Sequence, residues 1–309
     1  MHVRVDLALT PSQAADPVSV REHAAMESGI ALDDISSVVV ARRSIDARAR
    51  YTVVRLVADV YANEEPPAQR PLLEDYQDVS AASECIIVGA GPAGYFAALE
   101  LIEAGIKPIV LERGKDARTR RKDLRAIQQF GIVDPHSNYC FGEGGAGTYS
   151  DGKLYTRSHK RGSIEKVLRL LVEHGASSDI LVDAHPHIGS NKLWAVVRNI
   201  RETIIRFGGE VRFDSHVVDF ILSRKSTPDS HTTCNIEGVV LADGSEVRAQ
   251  HVILATGHSA RDIFRLCVRH GIEIHAKPFA LGVRIEHPQA LVDDVQYGCL
   301  LYTSPSPRD

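Results

Sequence analysis

The stretch Glu84-Cys85-Ile86-Ile87-Val88-Gly89-Ala90-Gly91-Pro92-Ala93-Gly94 constrains the chain more than any other. A short apolar run reads as a buried strand, and it breaks at Gly89 into a turn that opens a helix at Pro92. Each glycine has a mechanical reason to be there. Gly89 permits the tight turn, Gly91 lets a phosphate group approach the backbone, and Gly94 allows helix and strand to pack closely. The helix is predicted over 92–104 with Gly105 ending it, and a second strand over 108–111. A parallel strand pair with one helical crossover belongs to a doubly wound α/β sheet.

Glu112 closes the second strand, 23 residues after Gly89, about where a ribose-binding carboxylate belongs. The helix N-terminus adds unpaired N–H donors and a partial positive charge for phosphates. A lone Gly-x-Gly-x-x-Gly is weak, but with the strand, the helix and Glu112 in place it predicts dinucleotide binding. A carboxylate at the ribose disfavours a 2′-phosphate, which leaves NAD or the adenosine half of FAD. Residues 113–125 carry Arg113, Lys115, Arg118, Arg120, Arg121, Lys122 and Arg125 against Asp116 and Asp123. One or two of these can reach the adenosine or pyrophosphate, and the rest read as a solvated helix face.

A second cluster, residues 141–154, holds five glycines (Gly142, Gly144, Gly145, Gly147 and Gly152) without helical or strand period. Such density suits a backbone that approaches a flat or charged ligand, the alternative being an ordinary flexible loop. A third piece, Ala255-Thr256-Gly257, directly follows the apolar run 252–255. Open sheets bind ligands beyond the carboxyl ends of their strands.

In this order, with a strand pair around Val217, the pieces resemble the glutathione-reductase-type FAD-binding fold. More narrowly, residues 138–154, Arg43-Ser44-Ile45-Asp46-Ala47-Arg48 and the stretch 277–288 look like an uncharacterised family of FAD-dependent dehydrogenases. The resemblance covers residues from about 1 to 298, and its most specific part is 144–153. It implies a Rossmann-like, three-layer ββα FAD-binding fold, FAD as cofactor and NAD(P)H as a candidate electron donor. It further implies that Gly89, Gly91, Pro92, Ala93 and Gly94 meet the pyrophosphate, and that Glu112 meets the ribose with Arg113 beside it. The backbone at Gly144, Gly145, Ala146, Gly147 and Thr148 would lie near the flavin, the main chain at Val217 would face the adenine, and Thr256 and Gly257 would complete the site. Such flavoproteins also close the site with a late Gly-Asp pair. None follows Gly257, and Asp243-Gly244 reads as a hairpin turn, so the resemblance places that piece beyond residue 298.

Before the glycine motif, residues 3–9 alternate apolar and polar, Asp16-Pro17 opens a helix running towards Ser28-Gly29, and two β-branched runs follow at 35–43 and 51–60. They predict a small α+β module, βαββ, over 1–72, closed by the proline-rich linker 63–71. Its Arg42, Arg43, Asp46, Arg48 and Arg50 can form a binding patch, although a solvated hairpin end is the better expectation. Later come a predicted helix over 192–207, strands over 210–213 and 216–222, and a hairpin of 236–241 with 246–248. The expected organisation is the module 1–72, an incomplete FAD-binding domain 82–262, and the first strand or two of a substrate domain within 270–298. Residues 299–309, Cys-Leu-Leu-Tyr-Thr-Ser-Pro-Ser-Pro-Arg-Asp, are similar to the translation of a short-read sequencing adapter. They are expected to be a non-native tail on a fragment.

Composition removes other classes. The chain has 309 residues, 44% hydrophobic and 25% charged, which is too apolar and evenly mixed for a disordered protein. No run approaches the roughly 20 apolar residues of a membrane-spanning helix. Lys and Arg number 36 against 40 Asp and Glu, so a nucleic-acid partner is not expected. Cys85, Cys140, Cys234, Cys267 and Cys299 form no Cys-x-x-Cys pair, which argues against a disulfide framework and a zinc site. With no secretory signal at the start, the expected location is cytoplasmic.

Candidates near a flavin are Cys140, Asp151, Lys153 and His258. Lys153 can stabilise a reduced anionic flavin, Cys140 can be a redox thiol and His258 can transfer a proton; a structural lysine, a small packed side chain and a cap are their plainer counterparts. His185 and His187 lack a third ligand at metal-binding spacing, so no metal is expected. The leading function is an FAD-dependent oxidoreductase, a dehydrogenase acting by flavin-mediated hydride transfer on a small-molecule substrate or electron acceptor that the sequence does not name. An FAD-dependent RNA-modifying enzyme and a non-catalytic flavin-binding protein stay open.

Overall fold

In the computed structural model, which describes residues 1–48, 51–156, 162–226, 232–278, 282 and 285–297, the N-terminal alternation becomes strand β1 (His2–Leu9). Val5, Leu7 and Leu9 are buried, while His2, Arg4, Asp6 and Ala8 face out. Helix α1 (Pro11–Ala15) follows, opened by a capping box in which Thr10 and Gln13 satisfy each other's backbone N–H groups. The sequence reading passed over that short helix. Helix α2 (Pro17–Ser28) has Asp16 as its N-cap and ends at Gly29 in the left-handed conformation (φ +70°). Strands β2 (Ile35–Asp46) and β3 (Val53–Ala62) complete an antiparallel sheet of order β1-β3-β2, with α2 packed on one face through Val20 and Ala24.

The hairpin end, expected to be solvated, is partly engaged. Arg43 exchanges backbone hydrogen bonds with Val182 (2.7 Å) and Ala184 (2.9 Å), and its guanidinium meets Asp183 at 2.7 Å and Asp179 at 3.0 Å. It ties the module to the rest of the chain. Asp46 takes Arg48 at 2.7 Å and Arg55 at 3.2 Å, and Arg50 lies outside the described residues.

The buried run of the glycine motif forms β4 (Glu84–Val88), followed by α3 (Pro92–Glu103), β5 (Lys107–Leu111) and α4 (Ala117–Phe130). Then come α5 (Ile164–Glu173), α6 (Ser190–Arg206), β6 (Glu210–Arg212), β7 (Val217–Ser226), β8 (Thr232–Leu241), β9 (Glu246–Arg248), β10 (Val252–Leu254) and α7 (Arg261–Arg269). The parallel sheet has the order β10-β4-β5-β6, and an antiparallel sheet has the order β7-β8-β9. Successive side chains of a strand face opposite ways, so β4 serves two cores. Ile87 packs with Leu99 and Ile102 of α3 and with Ile200 and Ile204 of α6. Ile86 and Val88 pack with Val217 and Phe220 of β7, Val239 of β8 and Leu266 of α7. Helices, parallel sheet and antiparallel sheet make three layers, the ββα arrangement of an FAD- or NAD(P)-binding Rossmann-like fold.

From β4 the strand order runs through β5 to β6 on one side, and β10 lies on the other. The change of direction opens a crevice at the carboxyl ends of β4 and β10. Residues 289–297 form helix α8 (Gln289–Tyr297). Of the stretch 277–288, residues 279–281, 283 and 284 lie outside the described residues, as does the tail 299–309.

On the open face of the N-terminal sheet, Asp59 accepts from Arg4 (2.7 and 2.8 Å) and meets the His2 ring at 3.0 Å. The Arg4 hydrogen bond lowers its pKa to about 2. The depressed carboxyl stabilises the fold above its unfolded value of 3.8, and that contribution disappears as the pH falls towards 2. Acid unfolding followed by circular dichroism should therefore show a steeper loss between pH 4 and pH 2 (roughly) in the wild type than in Arg4→Met.

Candidate functional site

At the crevice, Gly89 adopts φ +107°, and a Cβ there would stand 2.6 Å from the Ala255 carbonyl oxygen. Only glycine fits. A Cβ on Gly94 would lie 1.9 Å from the Gly89 carbonyl oxygen, so α3 presses directly on the turn. Gly91 differs: its φ is ordinary, and the nearest atom to a Cβ would be Gly145 Cα at 3.9 Å. No protein contact requires glycine at that position. Gly91 is also the N-cap of α3, and no side chain caps this helix end.

Glu112, 5% exposed, gathers three loops around its carboxylate. Oε2 accepts the Ala90 N–H at 2.8 Å, and Oε1 accepts those of Gly114 and Gly142, both at 2.9 Å. The 141–147 segment is thereby brought onto the first glycine turn, where Gly144 also donates to the Ala90 carbonyl at 2.8 Å.

The resulting cleft, about 440 Å³, is lined by Gly89, Gly91, Pro92, Ala93, Glu112, Cys140, Gly145, Ala146, Thr256, Gly257 and His258 among others. A small recess continuing from it is bordered by Glu112, Arg113, Phe141, His216 and Val217. The guanidinium of Arg113 lies over the Phe141 ring (4.3 Å) and pairs with Asp262. Asp262 also meets His216 at 2.9 Å. Burial works against the Asp262 charge, but the bonds from His216 and Arg113 outweigh it and hold the carboxyl below its ordinary range.

Of the residues singled out in the sequence, Gly94, Gly144, Gly147, Thr148 and Lys153 do not line the cleft. Gly94 serves helix packing. Thr148 is buried and donates to the Glu143 carbonyl at 2.8 Å. Lys153 is exposed beside Asp151 at 3.2 Å. Cys140 and His258 do face the cleft, and Cys267 joins them at its wall. Among the described residues no group of three His, Cys, Asp or Glu side chains could hold a metal; His185 packs instead on Tyr155.

Sequence reasoning missed the buried charges behind the second glycine loop. Arg120, placed there with the solvated run, is 1% exposed. Its Nε donates to Asn138 O at 2.9 Å, and Nη1 donates to Glu143 O at 2.8 Å and Gly145 O at 2.7 Å. Burial lowers its pKa. Glu143, fully buried, accepts from Ala117 N–H (2.6 Å), Tyr95 OH (2.8 Å) and Arg201 (3.1 Å). Burial nevertheless raises the Glu143 carboxyl above its usual range. A lone acid inside a glycine-rich stretch was the available signal.

Residues 83–268 match the family described as Pyridine nucleotide-disulphide oxidoreductase, and residues 1–61 match a domain of unknown function. An uncharacterized protein of Clostridium beijerinckii is 37% identical over 281 residues, covering 86% of this chain and 51% of that protein. The chain thus spans about half the length of this curated relative. Among solved structures, Thermovibrio ammonificans THI4 is 17% identical with a TM-score of 0.40, over 62% of this chain and 64% of that one. OTEMO in complex with FAD and NADP is 17% identical with a TM-score of 0.32, over 57% and 26%. Likeness at that level carries no weight for the site. No described helix is long and apolar enough to cross a membrane.

The two glycines should respond differently to one added methyl group. Gly94→Ala forces α3 off the turn and should cost about 2 kcal/mol or more, whereas Gly91→Ala should stay within about 0.5 kcal/mol of the wild type in urea unfolding.

Proposed function

The chain belongs to the pyridine nucleotide-disulphide oxidoreductase family, and from that membership we propose that it is an FAD-dependent oxidoreductase, a dehydrogenase for a small-molecule substrate. One observation carries the reading: two glycine loops, Glu112 and the end of β10 converge on a single cleft at the point where the sheet changes direction. Gly91 supports it, because a glycine that packing does not require makes sense where a ligand comes close.

The residues fit the cofactor. Gly89, Gly91, Pro92 and Ala93 would hold the diphosphate at the N-terminus of α3, where an uncapped helix end favours anions. Glu112 uses three of its roughly four acceptor positions within the protein, which leaves one for a ribose hydroxyl. Arg113 and Val217 border the recess that suits the adenosine end. Thr256 and Gly257 line the part of the cleft left for the flavin, and Gly145 and Ala146 lie between it and the diphosphate. A bound flavin supplies hydride transfer, with a nicotinamide nucleotide as candidate donor. His258 and Cys140 are the candidate side chains facing that space. Lys153, exposed and paired with Asp151, stands outside the lining of the cleft.

Purified protein incubated with FAD and freed of excess cofactor should show flavin bands near about 370 and 450 nm. Gly91→Ala, folded as stably as the wild type, should lose them. Absence of the bands in the wild type, or their full retention in Gly91→Ala, would count against the assignment.

A further inference from the structure

We propose that Arg120 is a positioning residue that aims the N–H of Ala146 at a phosphate oxygen of the bound dinucleotide, a step that rests on the cleft holding FAD. A buried guanidinium normally has a carboxylate partner, because an unpaired buried charge is costly. Arg120 pairs with no carboxylate among the described residues; the side chain of Glu143 turns to Arg201 instead. Its compensation comes chiefly from backbone carbonyls, those of Asn138, Gly142, Glu143 and Gly145, with the Thr148 hydroxyl at 3.5 Å and the Tyr149 ring beside it. A positive charge placed under a glycine loop, and hydrogen-bonded to no carboxylate among the described residues, favours an anion on the other side.

The peptide planes say where that anion lies. In a trans peptide the C=O and the following N–H point in opposite directions. The Glu143 carbonyl faces Arg120, and the N–H of the same peptide, on Gly144, reaches across to the Ala90 carbonyl in the first glycine turn at 2.8 Å. Two residues later the arrangement repeats. The Gly145 carbonyl faces Arg120 at 2.7 Å, and the N–H of the same peptide, on Ala146, lies in the first turn of the short 3-10 helix Gly145–Gly147, where N–H groups have no intrahelical acceptor. Ala146 lines the cleft, and a Cβ on the adjoining Gly145 would stand 3.3 Å from Gly91 Cα, at the cap of α3. That donor therefore sits beside the helix terminus that best suits a diphosphate. Arg120 fixes its direction and polarises the peptide that carries it.

Two substitutions separate this role from simple support of the loop. Arg120→Met keeps the bulk and removes every donor; Ala146→Pro removes the N–H itself and leaves Arg120 in place. Binding of FAD, ADP and adenosine to the purified protein is measured by titration, with unfolding curves alongside. Each variant should bind FAD and ADP about 10- to 100-fold more weakly, as expected for a charge-assisted hydrogen bond, while its affinity for adenosine stays unchanged. The double variant should be no weaker than either single one, because both delete the same interaction. Equal loss for adenosine, additive losses in the double variant, or unchanged ADP binding would overturn the proposal. If Arg120→Met does not fold, the ADP-to-adenosine ratio in Ala146→Pro decides it. Wild-type protein that binds neither FAD nor ADP overturns the reading of the cleft itself, whereas wild-type binding with unaltered variants overturns only the role of Arg120.

Discussion

A single carboxylate organises this site. Glu112 sits at the end of β5, and the N–H groups it collects come from the first glycine turn, from its own strand's exit and from the second glycine loop. Each of those segments is short of side chains and would otherwise wander, since glycine-rich backbone loses most entropy on ordering. Charge-assisted bonds to backbone N–H groups are among the stronger ones available. The glycines make close approach geometrically possible, and the acid decides which approach occurs.

Behind this carboxylate stands a second tier of buried charge with a different logic. Glu143 is answered by Arg201, Tyr95 and the first N–H of α4, so a negative group inside the core is fully satisfied. Losing one partner of such a set leaves the other charge stranded, at a cost of about 3–5 kcal/mol. Arg120 enters from the same helix, α4, and takes carbonyls where Glu112 takes N–H groups. Gly142 shows the division within one residue: its N–H goes to Glu112 and its C=O lies 3.3 Å from Arg120. The loop is held from both sides by opposite charges that never touch each other.

Much of this architecture was legible in the sequence because it rests on local rules. The strand–turn–helix at 84–103, the hairpin around Asp243 and the cap at Asp16 are written in adjacent residues, and each forms where periodicity and capping place it. The cleft was legible in part, since Gly89, Gly91, Glu112 and Thr256 each end a strand or open a helix. What escaped depended on tertiary context. Arg120 reads like its neighbours Arg118 and Arg121 until the fold shows which side of α4 is covered. Gly94 and Gly91 look alike in the motif, yet one meets a carbonyl and the other meets nothing close. Arg43 reads as part of a solvated hairpin end because its partners, Asp179 and Asp183, lie far along the chain.

The order of the parallel sheet has a consequence for how the cleft comes into being. One wall belongs to β4 and the loop after it; the other belongs to β10, whose Val252 pairs with Ile86. Contacts so distant in sequence close late, because the entropy of closing the intervening chain comes before the reward. β5 and α3 are near neighbours of β4 and can assemble around it early. The cleft is complete only once β10 has joined β4, and any ligand that binds across it would favour the joined sheet over states in which β10 is detached.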